Sequence, residues 1–101
     1  MSTAYVVVEQ IVHDSQAMAK YREGGPAVLA KFGGKVLVAS SFVETIERLD
    51  EQPWEPERFL VVEFDDVEAA RAWYESDEYQ ALVPYRTAAA MTRIFLAESI
   101  L

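Results

Sequence analysis

A chain of 101 residues, 51% of them hydrophobic and 26% charged, has the composition of a folded protein and enough length for one core, so a single domain over 1–101 is expected. Its formal charge of −8, with most of the 17 acidic residues between Glu44 and Glu78, opposes any phosphate backbone, and no nucleic-acid partner is expected. The absence of cysteine excludes disulfides, thiolate nucleophiles and sulfur-ligated metals together.

In chain order, residues 4–12 (AYVVVEQIV) are dense in β-branched side chains and read as strand one. Asp14 and Ser15 follow as N-caps for a helix that carries Met18, Tyr21 and Arg22, then Val28, Leu29 and Phe32, at helical spacing. Gly24-Gly25-Pro26 interrupts that pattern, so helix one is expected to break or kink there before Gly33-Gly34 stops it. Residues 35–43 read as strand two with 44–49 as its extension, and the acidic, proline-bearing stretch 50–57 (DEQPWEPE) reads as a loop. Strand three is expected at 58–64. Asp65, with Glu68 three residues on, has the form of a capping box, so helix two starts there and runs through Trp73 and Tyr74. Ser76 can cap a further turn, Pro84 is expected to end the helical region, and 91–97 is the last strand.

The order β-α-β-β-α-β is that of a ferredoxin-like α+β sandwich, a four-stranded antiparallel sheet with both helices on one face. Alternation along the strands directs Val6, Val8, Leu60, Val62, Phe64, Ile94 and Leu96 toward the helices. The opposite face then carries Tyr5, Val7, Ile11, Phe59, Val61, Met91 and Phe95, more apolar surface than a one-sided sheet leaves in water. With no third helix to cover it, the same face of a second copy is the simplest cover, and a homodimer is expected. Strands one and three are expected to run parallel and strand four antiparallel to strand one, which would bring Glu9, Glu63 and Arg93 near one end of that face. Such a group either handles a proton or forms a partly wet ion pair that sets dimer register, and the second reading is preferred.

The candidate ligand site is a cleft between helices and sheet, bounded by Gln10, Tyr21, Trp73, Tyr79 and Arg86. Aromatic walls with few polar groups suit small organic ligands, and Arg86, placed just beyond Pro84, is positioned either to clamp a carboxylate or to pair with an acidic side chain. Trp73 and Tyr74 stand at helical spacing and read equally as core. His13, beside Asp14, is a general base on one reading and a solvated turn residue on the commoner one. One histidine without cysteine makes no zinc site, and neither a nucleophile elbow nor a phosphate-cradling or dinucleotide glycine loop is present, so no metal and no cofactor is expected. No apolar run approaches the roughly 20 residues of a membrane span and no leader pattern opens the chain, so a cytoplasmic protein without membrane contact is expected. The competing function is a non-catalytic interaction module that docks a protein through the acidic loop and an exposed Trp54.

The run Ala69-Ala70-Arg71-Ala72-Trp73-Tyr74-Glu75-Ser76-Asp77-Glu78-Tyr79-Gln80, with Arg86 beyond it, resembles the hallmark of bacterial domain-of-unknown-function family thirteen-thirty, in the dimeric α/β-barrel superfamily. Asp14 with Tyr21, Phe32-Gly33-Gly34-Lys35, Glu44, Glu47 and Trp54-Glu55-Pro56 extend the resemblance over nearly the whole chain. It implies a ferredoxin-like fold that pairs into a dimeric α/β barrel. The chain departs from the family pattern at Ala39-Ser40-Ser41, where members usually carry Arg-Gly-Gly, at Glu47-Arg48, where they carry Glu-Gly, and in a longer loop before Trp54. The superfamily also holds cofactor-free monooxygenases, muconolactone isomerases and haem-degrading enzymes, but a shared fold does not transfer chemistry.

Overall fold

A computed structural model describes residues 2–48, 51 and 54–101. Its elements are β1 (Ala4–Val12), α1 (Ala19–Lys31), β2 (Lys35–Ser40), β3 (Arg58–Phe64), α2 (Val67–Glu75), α3 (Asp77–Ala89) and β4 (Ala90–Glu98). The strands form one sheet in the order β2-β3-β1-β4 with every neighbouring pair antiparallel, the ferredoxin-like α+β arrangement expected from the sequence. Leu49, Asp50, Gln52 and Pro53, in the predicted strand extension and acidic loop, lie outside the described residues.

The period-two pattern of β1 places Ala4, Val6, Val8 and Gln10 on the buried face, and cross-strand pairing carries the same face to Val62 and Phe64 of β3. Val6, Val8, Val62 and Phe64 pack under Ala70 and Trp73 of α2 and Tyr79 of α3 to make the main core. A second cluster of Met18, Ala89 and Ala90 closes the end where β1 hands over to α1.

Several local expectations are corrected. Helix α1 runs unbroken through Gly24-Gly25-Pro26. Proline normally drives the preceding residue out of the helical region by collision with its Cβ, and Gly25 has none, so the helix continues at the cost of one backbone hydrogen bond. The helix begins at Ala19, because Asp14 instead caps a turn, accepting from the Ala17 amide at 3.0 Å. Its end is a Schellman motif: Gly33 at φ 79° donates to the Ala30 carbonyl at 3.1 Å and Gly34 to that of Leu29 at 2.9 Å. Asp66, not Asp65, caps α2, accepting from the Ala69 amide at 2.8 Å. Ser76 caps α3 as expected, but Pro84 does not end it. Tyr79, Leu82, Val83, Arg86 and Ala89 recur at three- and four-residue intervals, and burial of that stripe outweighs the lost bond at Pro84.

Strand β2 stops at Ser40 rather than reaching residue 43, and residues 42–48 continue without regular structure. A register shift between Val36 and Val38 breaks its alternation, and Val36, Leu37 and Val38 all remain close to half exposed on this edge. Strands one and three are antiparallel rather than parallel. Glu9 faces Arg93 through the expected antiparallel pairing of β1 with β4, but Glu63 therefore lies four residues away along β3, opposite Tyr5 and Lys35. The predicted cluster of Glu9, Glu63 and Arg93 does not form.

Candidate functional site

Between α1 and the sheet lies a cavity of about 730 Å³. Its floor comes from the inward positions of β1 and β3, its roof from α1, and its back wall from Trp73 and Tyr79. Four of the five predicted ligand residues, Gln10, Tyr21, Trp73 and Tyr79, line it. The geometry that brings them together is local: a Tyr21 phenol in the first turn of α1 meets the Tyr79 phenol from the first turn of α3 at 2.8 Å, with the rings edge to face at 6.0 Å. Tyr79 also packs on Trp73 at 4.3 Å between centroids, and Trp73 on Phe64 at 5.7 Å, so the wall is anchored in the core.

Burial raises the Tyr21 pKa well above the ordinary phenol value, and Tyr79 adds to the rise through its proximity and its hydrogen bond, while Arg86 works against it. Tyr21 is therefore a hydrogen-bond partner at any working pH and not a base. Because one phenol of the pair donates to the other, a single hydroxyl hydrogen is left over for a third group. The Gln10 amide donates to Thr92 Oγ1 at 3.2 Å, which leaves its oxygen as an acceptor at the cavity end of β1.

Arg86 is placed differently from the sequence reading. It belongs to the last turn of α3, is only 7% exposed, and does not line the cavity; its Nε has no hydrogen-bond partner among the described residues. The helix C-terminus favours a cation there, and the guanidinium sits near enough to Tyr21 to act on its phenol. The Trp73 Nε1 is likewise buried and unpartnered, closed off from the solvent-accessible space of the cavity. Trp73 is thus both core and wall, with its ring rather than its N–H offered to a ligand.

Sequence reasoning passed over other lining residues, chiefly Met18, Arg22, Leu29 and Arg58. The signals were present: Arg58 precedes Leu60, Val62 and Phe64 at period two, and Arg22 follows buried Met18 by one helical turn. Ala39, Ser40 and Ser41, where the chain departs from the family pattern, also face this cavity.

On the opposite face of the sheet, Trp54 folds back instead of standing exposed. Its Nε1 donates to Glu9 at 2.7 Å and its ring lies 4.4 Å beneath the Arg93 guanidinium, while the neighbouring Glu55 pairs with Arg48. The indole needed for an exposed docking loop is therefore occupied. His13 is exposed in the turn after β1, where its amide donates to the Ala89 carbonyl at 2.9 Å. Among the described residues no group of three or more histidine, aspartate or glutamate side chains stands close enough to hold a metal, and no helix is long and apolar enough to cross a membrane.

Solved structures of similar shape are distant in sequence. A protein of unknown function from Rhodopseudomonas palustris superposes with a TM-score of 0.80 at 17% identity, over 99% of this chain and 84% of that one. A cofactor-independent oxygenase from Streptomyces nogalater, SnoaB, gives 0.65 at 12% identity over 100% and 96%. A protein from Bacteroides fragilis, described as dimeric, ferredoxin-like and of unknown function, gives 0.61 at 15% identity over 98% of each chain. Among curated proteins none matches the chain significantly. At these identities the likeness establishes the fold alone. The family rests on the sequence itself: the model for the Domain of unknown function (DUF1330) matches residues 3–100, and the chain belongs to that family.

Proposed function

We propose that the protein binds or converts a small organic compound, aromatic or carboxylated, in the cavity between α1 and the sheet. The carrying observation is the cavity itself, whose volume of about 730 Å³ falls within the range of small-molecule sites and whose walls are mostly apolar with few polar groups. Trp73 and Tyr79 supply an aromatic wall, Tyr21 and Gln10 supply hydrogen bonds to a ligand oxygen, and Arg86 contributes positive charge from behind the phenol pair. No bound metal or cofactor is required by these roles. The Streptomyces protein of similar fold is described as a cofactor-independent oxygenase, which supports counting conversion without a cofactor within this proposal.

The working unit in this proposal is a homodimer paired through the outer sheet face. Met91 and Phe95 are about half exposed there, at 55% and 50%, and Phe42 and Ile46 project beyond the edge strand at 75% and 94%. The Bacteroides relative of the same fold is described as dimeric.

A thermal-shift screen of small acids and aromatics tests the ligand reading. A compound present at a hundred times its dissociation constant stabilises the fold by about 2.7 kcal/mol, a shift of roughly 10 °C or more for a chain this size. A panel that leaves the melting temperature unmoved argues against a binding cavity. Light scattering after size-exclusion chromatography at micromolar concentration tests the assembly, and a clean monomer refutes it.

A further inference from the structure

We infer that the cavity selects an anionic, amphipathic ligand: an organic acid whose carboxylate lies at the Arg22 and Arg58 end and whose apolar body extends toward Leu29 and Trp73. The inference rests on the ligand-binding reading above and adds the charge and orientation of what is bound.

Three observations carry it. The first is the sign of the wall. In a chain with 17 acidic and 9 basic residues, the charged side chains that line the cavity among the described residues are Arg22 and Arg58, with no aspartate or glutamate beside them. An acidic protein that excludes carboxylates from one apolar recess, and admits two guanidiniums, has made that recess attractive to an anion.

The second is that neither guanidinium is held by a carboxylate among the described residues. The hydrogen bond of Arg22 is a long one, 3.4 Å to the Ser15 carbonyl. Guanidiniums bind carboxylates through paired N–H groups, and a recess with low-dielectric walls strengthens the contact relative to open surface.

The third is the direction of the cavity. Arg58 is the cross-strand partner of Gln10, so both stand at one end of the inward face, beside the turn of α1 that holds Arg22. Val62 lies four residues further along β3, about 13 Å away at strand rise, near Leu29, Gly34 and Trp73. The floor between is Val8 paired with Leu60. One end is therefore cationic and polar and the other apolar and aromatic, separated by the length of a two-ring aromatic acid. The Tyr21 and Tyr79 hydroxyl pair flanks this path, where its spare hydrogen can meet an oxygen on the ligand body.

Isothermal titration with 2-naphthoate and with its neutral counterpart 2-naphthamide, on the wild type and on the R22Q/R58Q double variant, tests the orientation. The wild type should bind the acid about tenfold more tightly than the amide or better, a difference of ~1.4 kcal/mol, and raising the salt should narrow it. The double variant should bind both compounds with the affinity the wild type shows for the amide. Equal affinity for acid and amide in the wild type, or an acid preference that survives in the double variant, overturns the arginine assignment while leaving the cavity as a binding site. Failure of both compounds to bind the wild type overturns the inference together with the reading beneath it. Unchanged circular dichroism and melting temperature of the double variant, expected for two exposed arginines, separate lost recognition from lost folding.

Discussion

The phenol pair should respond asymmetrically to removal of its two hydroxyls. Tyr79 is 1% exposed, and the Tyr21 hydroxyl 2.8 Å away is its hydrogen-bond partner. Tyr21→Phe therefore strands a buried phenol, at a cost of about 1–3 kcal/mol for an unsatisfied buried polar group. Both residues border the cavity, but Tyr21 is only partly buried, so in Tyr79→Phe its hydroxyl can turn to water, and the loss should be nearer the ordinary net worth of a hydrogen bond, about 0.5–1.5 kcal/mol. Removing both hydroxyls leaves two apolar rings of unchanged shape, so the double variant should lose less than the sum of the single losses, with a coupling of at least ~0.5 kcal/mol. Urea denaturation at one fixed protein concentration measures all three differences, and thermal melts should follow at about 4–8 °C per kcal/mol. Equal losses, a larger loss for Tyr79→Phe, or simple additivity would refute the reasoning. Any of these would mean that the Tyr79 hydroxyl reaches solvent or that the two phenols are not a unit.

Gly34→Ala places a Cβ 2.5 Å from Leu29 Cδ1 and 3.0 Å from Phe64 Cζ; Phe64 is locked in the core, so Leu29 must swing into the cavity. The variant should lose about 1–3 kcal/mol by urea denaturation and bind 2-naphthoate more weakly in calorimetry, whereas a stability loss with full binding would contradict a cavity beside Leu29. The exposed Glu78 carboxyl is held below its ordinary 4.5 by the hydrogen bond that the Lys31 ammonium donates to it, so that contact stabilises the fold above the ordinary value and is lost as pH falls through the depressed one. Carboxyl NMR titration should show the Glu78 pKa moving up in Lys31→Ala; no movement would remove the contact between α1 and α3. The raised Tyr21 pKa works in the opposite window, its contribution complete below pH 10.0 and lost as pH rises above it, so Tyr21→Phe should flatten the alkaline decline in stability. A decline of equal steepness in that variant, followed by urea midpoints from pH 9 to 11, would place the titrating group elsewhere.

What the chain alone determined was periodic. Alternation in β1 and β3, the Ser76 cap and the Gly33-Gly34 stop are local patterns, each imposed by backbone geometry within a few residues, and they made the ferredoxin-like order legible. The convergence of Gln10, Tyr21, Trp73 and Tyr79 was accessible because three of them sit on inward positions of elements already placed. Proline was read by its local cost and misread twice, since at Pro26 a preceding glycine relieves the clash and at Pro84 the buried stripe of α3 outweighs one lost bond. Strand direction decided most of the rest. With β1 and β3 antiparallel, Glu63 moves away from Glu9, Trp54 takes its place against Glu9 and Arg93, and Arg58 comes level with Gln10 at the mouth of the cavity. Arg86 passed from a presented clamp to a buried cation because α3 continues through Pro84 and carries it on the buried stripe, and a side chain's exposure depends on the elements packed over it and not on its own neighbours in sequence.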